Sequence, residues 1–197
     1  QVLKNNIKKA NAPLIYVNQI GAHTDIIFDG RSLVLNKNGD IVKELAKFAE
    51  DFQYVDFENS DFAGKGSTTN DTEIALIHQA LILGLRDYFS KSGFKKAVLG
   101  LSGGIDSAIV AALAIEALGA KNVLAVLMPS IYSSDHSIKD ALDLVTNTGC
   151  EHLILPIKDI ASSFENTLSE AFAGLQANLT EENIQARTRG TLLMAIS

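Results

Sequence analysis

Cysteine is nearly absent from this sequence of 197 residues, and its shortage excludes two kinds of site. With Cys150 alone, the chain cannot form an internal disulfide or a metal site built from cysteine pairs. The shortage is also typical of proteins from a reducing compartment. Because Cys150 lies between a helical pattern and a strand pattern, we expect a buried structural thiol rather than a nucleophile.

An excess of positive charge and long hydrophobic runs are missing as well. Lysine and arginine number 17 against 23 aspartates and glutamates, so the net charge of −6 gives no electrostatic reason to expect nucleic acid. No apolar run approaches the roughly 20 residues that cross a bilayer, and we see no leader made of a basic stretch followed by an apolar one. We therefore expect a soluble, cytoplasmic protein that binds neither nucleic acid nor a membrane.

Apolar residues are plentiful, at 47% of the chain, and can form a substantial core. The length is compatible with one large domain or two smaller ones. The sequence begins at Gln1 without methionine and stops at Ser197 inside a helical pattern. We therefore expect it to be a fragment of a longer protein.

The first sixty residues carry the pattern of antiparallel strands, with no helix predicted between them. The predicted strands are 13–19, 25–28, 32–35, 41–42 and 52–57. Asn36–Gly39 is typical of a hairpin loop between two of them. His23 and Asp25 are a candidate catalytic pair, although an exposed loop is the simpler interpretation.

A change of composition marks the next segment. Residues 60–71 are rich in Gly, Ser, Thr, Asn and Asp, as in a linker or a surface loop. Asn70 followed by Glu73 resembles a capping box, and apolar residues at helical spacing then predict a helix over 72–91. We expect domains at 1–59 and 72–197, joined by a linker at 60–71.

Strand and helix patterns alternate regularly through the second predicted domain. Strands are predicted at 96–101, 123–128 and 152–156, helices at 106–118 and 134–147, and two more helical stretches follow. This alternation predicts a parallel sheet with helices on both faces. Ligands bind such sheets beyond the carboxyl ends of the strands.

The segment Gly100-Leu101-Ser102-Gly103-Gly104-Ile105-Asp106-Ser107 lies at one such strand end. Its glycines let a ligand approach the backbone, and the free N–H groups of the following helix favour an anion. Asp106 could then hold a magnesium ion beside a bound phosphate. The segment lacks the Gly-Lys-Ser/Thr ending of a Walker loop and the Gly-x-Gly-x-x-Gly of a dinucleotide site. An ordinary turn in which Asp106 or Ser107 caps the helix stays open.

Ser102-Gly103-Gly104-Ile105-Asp106-Ser107 resembles the Ser-Gly-Gly-x-Asp-Ser signature of the PP-loop ATP pyrophosphatases. The resemblance implies a doubly wound, parallel α/β sheet of the adenine nucleotide α-hydrolase-like type. It also implies that ATP binds Gly100, Leu101, Ser102, Gly103, Gly104, Ile105, Asp106 and Ser107, with Mg²⁺ on Asp106.

Two further segments resemble the NAD synthetase family within that superfamily. They are Met128-Pro129-Ser130-Ile131-Tyr132-Ser133-Ser134 and Glu182-Asn183-Ile184-Gln185-Ala186-Arg187-Thr188-Arg189-Gly190. The resemblance implies that Asn183, Arg187 and Arg189 bind deamido-NAD. In a helix, Asn183 and Arg187 are four residues apart on one face, with Gln185 and Arg189 on an adjacent one.

The early strands resemble the closing strands of a nitrilase-like amidase, an α-β-β-α sandwich. The relevant segments are Tyr16–Gly21, Ile27–Ser32 and Asn38–Asp40. The loop that usually reads Gly-Gln-Asp-Glu in that family reads Ala22-His23-Thr24-Asp25 here. Because that family's Glu, Lys and Cys triad lies upstream of these strands, we expect no catalytic residue of the amidase in this chain.

An amidase ahead of a PP-loop domain is the order of the glutamine-dependent NAD synthetases. The resemblance implies a ligase that amidates deamido-NAD with ATP and Mg²⁺, through an adenylated intermediate, using ammonia from glutamine. It also implies that the fragment alone is inactive, and we expect a homo-oligomer. Two alternatives stay open: a PP-loop enzyme acting on another acceptor, such as a nucleotide or a tRNA base, and a nucleotide-binding module without turnover.

Overall fold

The computed structural model describes residues 1–176 and 179–197. The chain forms two compact units, Gln1–Tyr88 and Phe89–Ser197, which are considered in turn. The domain limits expected from the sequence, 1–59 and 72–197 with a linker between them, stay a prediction.

The first unit is built on short antiparallel strands. Its elements are α1 (Val2–Ala10), β1 (Leu14–Tyr16), β2 (Ile20–His23), β3 (Ile26–Asp29), β4 (Leu33–Leu35), β5 (Ile41–Glu44), β6 (Phe57–Glu58), β7 (Asp61–Phe62) and the start of α2 (Glu73–Ser92). One sheet has the order β1-β4-β5, whereas β2 with β3 and β6 with β7 form separate hairpins. Val34 and Leu35 of the central strand are buried, as expected for the middle of a sheet.

Helix α1 is absent from the sequence prediction, although Leu3, Ile7 and Ala10 lie at helical spacing. Ile7 is 1% exposed, whereas Val2 is 72% exposed, so a single residue of the helix is buried. The helix packs on the β4–β5 hairpin, where a Cβ on Gly39 would lie 3.2 Å from Cγ of Lys4.

The predicted strand over 52–57 is wrong for most of its length. Only Phe57 belongs to a strand, and Phe52 and Tyr54 are exposed. Their rings stack edge to face with centroids 5.1 Å apart. The alternating aromatic pattern suggested a sheet face, but these two rings contact each other rather than a neighbouring strand. The predicted strand at 13–19 is likewise limited to Leu14–Tyr16.

The segment predicted as a linker forms hydrogen bonds with β5 and with Lys47, which follows that strand. The Gly66 N–H donates to the Ile41 carbonyl at 2.9 Å. The ammonium of Lys47, a side chain 7% exposed, lies 2.6 Å from Asp71 Oδ2 and 2.7 Å from Thr69 Oγ1. Residues 66–71 therefore contact the first unit through hydrogen bonds and an ion pair.

Helix α2 begins with a different cap from the one predicted. Thr72 Oγ1, rather than Asn70, accepts a hydrogen bond from the Ala75 N–H, at 3.3 Å.

His23 and Asp25 are exposed on the surface, and His23 Nδ1 lies 3.4 Å from Thr24 Oγ1. The surface interpretation of this loop agrees with the structure.

The second unit is the α/β sandwich that the alternating patterns predicted. Its elements are β8 (Ala97–Gly100), α3 (Ile105–Leu118), a 3-10 turn (Ala120–Asn122), β9 (Val123–Leu127), α4 (Asp135–Thr148), β10 (Glu151–Ile154), α5 (Lys158–Leu168) and α6 (Leu179–Ile196). The three strands are parallel in the order β10-β9-β8. Gly119 and Gly149 end α3 and α4 with positive φ, where the sequence placed these ends.

Helices cover both faces of this sheet. Successive side chains of β9 point to opposite sides and so pack against different helices. Ala125 and Leu127 pack with buried residues of α3 and α4. Val126 and Met128 pack on the other face with Leu192, Leu193 and other apolar residues. The doubly wound fold class is thus confirmed.

Cys150 is 6% exposed and belongs to the cluster between the sheet and α3 and α4. This burial agrees with the prediction of a structural thiol. Among residues 1–176 and 179–197, no helix has both the length and the apolar character needed to span a bilayer.

Candidate functional site

The segment after β8 forms a tight turn that leads directly into α3. The Leu101 N–H donates to the Val126 carbonyl at 2.9 Å and extends the sheet by one residue. Gly103 then takes a φ of +83°, which side chains rarely adopt. A Cβ there would lie 2.0 Å from the Ser137 carbonyl oxygen, so only glycine fits between the turn and α4. The turn and the start of α4 are thereby in direct backbone contact.

The two serines of the turn hold it together from inside. Ser107 Oγ donates to the Gly104 carbonyl at 2.9 Å and accepts from the Ser102 N–H at 3.2 Å. Ser102 Oγ accepts from the Gly104 N–H at 3.2 Å and lies 3.0 Å from Ser107 Oγ. Since the Ser107 proton is given to Gly104, the Ser102 hydroxyl is the donor of the pair. Both hydroxyl protons therefore brace the turn.

The donors that the turn leaves for a ligand are backbone N–H groups. The first helical bond of α3 runs from the Ala108 N–H to the Gly104 carbonyl at 3.1 Å. The N–H groups of Ile105, Asp106 and Ser107 precede it and have no partner within an α-helix. Together with the helix dipole, they favour an anion at this point.

Asp106 lies in the first turn of α3 with an exposed side chain. Within residues 1–176 and 179–197 it forms no hydrogen bond or ion pair. The same residues contain no group of three or more His, Cys, Asp or Glu side chains that could hold a metal. Magnesium usually binds through one or two carboxylates plus substrate phosphates, so one free carboxylate beside an anion site fits that ion.

A second helix begins beside the turn. The Ser134 hydroxyl caps α4 by accepting from the Ser137 N–H at 3.2 Å. Before it, the Ser130 N–H donates to Ser133 Oγ at 2.9 Å, which folds the connection from β9 into a compact turn. Serines at 133, 134 and 137 therefore shape the wall opposite the Gly-rich turn.

A cavity of about 430 Å³ opens between these elements at the carboxyl ends of β8 and β9. Its lining residues are Gly100, Leu101, Ser102, Val126, Leu127, Met128, Pro129, Ser133, Ser137, Ile138, Arg189 and Leu193. Apolar side chains of β9 and α6 form one part of it, and serines line another. The cavity therefore suits a ligand with an apolar ring and a polar or charged chain.

Arg189 of α6 is the cation of this cavity, and it is half-buried. Its Nε–H donates to the Met128 carbonyl at 3.1 Å, just beyond the end of β9. Burial lowers the pKa of the guanidinium, because desolvation disfavours the charged form.

Asn183 and Arg187 lie apart from Arg189 on the exposed side of α6. Gln185 and Thr188 of the same helix are buried, at 7% and 3% exposure, so α6 packs through a face other than the one that carries Asn183 and Arg187. The structure thus brings Arg189 to the Gly-rich turn and leaves Asn183 and Arg187 facing solvent. Sequence spacing placed Asn183 and Arg187 together correctly but could not show which helix face meets the sheet.

Residues 77–197 match the protein family described as NAD synthase. The chain belongs to the NAD synthase family. A glutamine-dependent NAD(+) synthetase from a Synechocystis species is 46% identical across the whole chain, and one from Acinetobacter baylyi is 42% identical. The chain spans 36% and 37% of these two relatives.

The fold is also that of a solved member of the family. A glutamine-dependent NAD+ synthetase from Acinetobacter baumannii, determined in complex with ADP, superposes with a TM-score of 0.93 at 42% identity. The match covers all of this chain and 38% of that one. This relative therefore shares the arrangement of antiparallel strands followed by a parallel α/β unit, as the sequence predicted.

Proposed function

We propose that the intact protein amidates deamido-NAD to NAD, with ATP as the energy source and glutamine as the source of ammonia. The observation that carries the proposal is the cavity at the ends of β8 and β9, where the Gly-rich turn, the start of α4 and Arg189 converge. Membership of the NAD synthase family and the ADP bound to the Acinetobacter baumannii relative support the same reaction.

ATP would bind with its phosphates against the segment Gly100–Ser107. The free N–H groups at the start of α3 would donate to the pyrophosphate portion, which carries most of the negative charge. Ser102 and Ser107 keep these donors in position through the bonds that brace the turn. The adenosine portion would lie over the apolar part of the cavity, beside Met128 and Leu193.

Asp106 is the residue that would hold Mg²⁺ beside the phosphates. Its carboxylate is exposed and lacks a partner in the described part of the chain, so it is available to a cation. When bound, the ion would neutralise charge that builds up on the leaving pyrophosphate. The turn itself stabilises that charge with backbone donors that need no rearrangement.

Asn183 and Arg187 would bind deamido-NAD from the exposed face of α6. An amide and a guanidinium four residues apart can contact neighbouring ribose and phosphate oxygens of a dinucleotide. The substrate carboxylate oxygen would attack the α-phosphorus of ATP, and the bond to pyrophosphate would break. Ammonia would then attack the acyl carbon, and AMP would leave with the former carboxylate oxygen.

The first unit would belong to the amidase that releases ammonia from glutamine. Its strands match those of glutamine-dependent relatives along the whole chain. This unit contains no cysteine and so provides no thiol nucleophile, and the catalytic groups of the amidase would lie in another part of the intact protein. Assembly into a homo-oligomer stays a prediction.

Product analysis of the intact protein tests this proposal. With deamido-NAD, Mg-ATP and either glutamine or ammonia, we expect NAD, AMP and pyrophosphate in equal amounts. Pyrophosphate release that requires a different acceptor would indicate another PP-loop reaction. ATP binding with no pyrophosphate release under any of these conditions would indicate a module without turnover.

A further inference from the structure

We infer that Arg189 belongs to the ATP half of the site, where its guanidinium contacts the phosphate chain, and not to the dinucleotide half with Asn183 and Arg187. This inference rests on the proposed function and replaces the role expected for Arg189 from its position in the sequence. Three observations carry it: the place of the side chain, its charge environment and its separation from Arg187.

The side chain of Arg189 lines the same cavity as Gly100 and Ser102 of the Gly-rich turn. Its Nε–H is fixed on the Met128 carbonyl at 3.1 Å, which anchors the guanidinium at the end of β9. An arginine held through Nε keeps its two terminal nitrogens for other acceptors, because the guanidinium has five donors in a planar fork. The anchor therefore orients the residue without using up its binding capacity.

The charge of Arg189 is not neutralised by the described part of the protein. No carboxylate among residues 1–176 and 179–197 forms an ion pair with it. A half-buried cation without an anionic partner is unfavourable, and an anionic ligand in the cavity would offset that cost. Arginine also matches phosphate geometry, since its parallel N–H groups can donate to two oxygens at once.

Arg187 is two residues away and points elsewhere. Two residues correspond to a rotation of about 200° around an α-helix, so the side chains lie on nearly opposite faces. Arg187 and Asn183 are exposed, whereas Arg189 faces the sheet and the cavity. A single bound group cannot contact side chains on nearly opposite faces of one helix. The structure therefore divides the three residues into two sets, Arg189 in one and Asn183 with Arg187 in the other.

Binding measurements on the intact protein test the division. Arg189→Gln removes the charge, Arg189→Lys keeps the charge but loses the fork, and Arg187→Gln is the matched control on the exposed face. Calorimetry would give the affinity of each variant for Mg-ATP, adenosine and deamido-NAD. We expect Arg189→Gln to weaken ATP binding about 10- to 100-fold and to leave adenosine and deamido-NAD within about twofold. Arg189→Lys should recover part of the loss, and Arg187→Gln should weaken deamido-NAD alone.

Several results would overturn the inference. If Arg189→Gln weakens adenosine as much as ATP, the residue contacts the base rather than the phosphates. If it weakens deamido-NAD and spares ATP, it belongs to the dinucleotide half. Unchanged ATP affinity in both Arg189 variants would also refute it, provided that the wild type binds ATP. A wild type that binds no ATP would instead refute the proposed function, and circular dichroism of each variant separates lost folding from lost contacts.

Discussion

Gly103→Ala should destabilise the second unit, because the structure leaves no room for a side chain at this position. A Cβ on Gly103 would lie 2.0 Å from the Ser137 carbonyl oxygen and 2.6 Å from the carbonyl carbon. Both atoms belong to the backbone of α4, so no side-chain rotation can relieve the overlap. The added Cβ and the Ser137 oxygen would have to separate by about 1.4 Å before the contact became ordinary, since ordinary contact begins at 3.4 Å.

The expected cost has two parts. The φ of +83° is left-handed, and holding alanine there costs about 1–2 kcal/mol. Forcing an extra methyl group into a packed contact costs about 1–3 kcal/mol more. The sum of about 2–5 kcal/mol is a large share of the roughly 5–15 kcal/mol that stabilises a typical domain.

Gly104→Ala is the matched control on the neighbouring residue. Gly104 has an extended backbone with φ of −80°, and the nearest atom to its added Cβ is Ser102 Oγ at 3.4 Å. Alanine at this N-cap position should cost only about 1 kcal/mol. Urea unfolding of the intact protein, followed by far-ultraviolet circular dichroism, would compare the two variants. Equal stability of Gly103→Ala and Gly104→Ala would refute the packing described for this turn.

Four further substitutions test other parts of the site and the fold. Asp106→Asn should lower NAD synthesis by at least about tenfold without moving the urea midpoint, since the carboxylate would serve the metal alone; unchanged turnover at saturating Mg²⁺ would count against it. Asn183→Ala should weaken deamido-NAD about 5- to 100-fold and leave ATP nearly unaffected by calorimetry; equal weakening of both ligands would contradict the separation of the two halves. Lys47→Met should cost about 1–3 kcal/mol in urea unfolding, because the buried Glu44 carboxylate loses its ammonium neighbour and keeps only the Arg31 guanidinium. Lys139→Ala breaks an exposed pair and should leave the urea midpoint nearly unchanged, so equal losses in the two lysine variants would refute the effect of burial.

The Lys47 pair also predicts a pH dependence. The hydrogen bond from Lys47 lowers the pKa of Asp71 in the folded protein. A lowered carboxyl pKa adds stability above the ordinary carboxyl range, and that contribution is lost as the pH falls through the folded pKa. The free energies of unfolding of the wild type and of Lys47→Met should therefore differ at neutral pH and converge in strong acid. A difference between the two free energies that stays constant down to the lowest pH would contradict this linkage.

The parallel unit could be predicted closely because its signals are local. Apolar runs and helix-ending glycines placed α3 at 106–118, and the structure has Ile105–Leu118. In the antiparallel unit, alternating apolar residues led to a wrong prediction of a strand over 52–57. Phe52 and Tyr54 alternate like strand residues, yet their rings contact each other in solvent, which only tertiary structure decides.

The candidate site could be located from the sequence but not resolved into roles. The Gly-rich turn is recognisable because strand, glycines and helix follow each other directly. The contact of Gly103 with Ser137 joins the turn to α4, so no spacing rule reveals it. The same holds for Arg189, whose bond to Met128 shows which face of α6 meets the sheet.

Oxygen transfer tests the proposed reaction most directly. Deamido-NAD labelled with ¹⁸O in its nicotinate carboxylate would be converted by the intact protein with Mg-ATP and ammonia, and the AMP and pyrophosphate would be analysed by mass spectrometry. Attack of the carboxylate on the α-phosphorus predicts one ¹⁸O atom in AMP and none in pyrophosphate. AMP without the label, or label in the pyrophosphate, would contradict adenylation of deamido-NAD at this site.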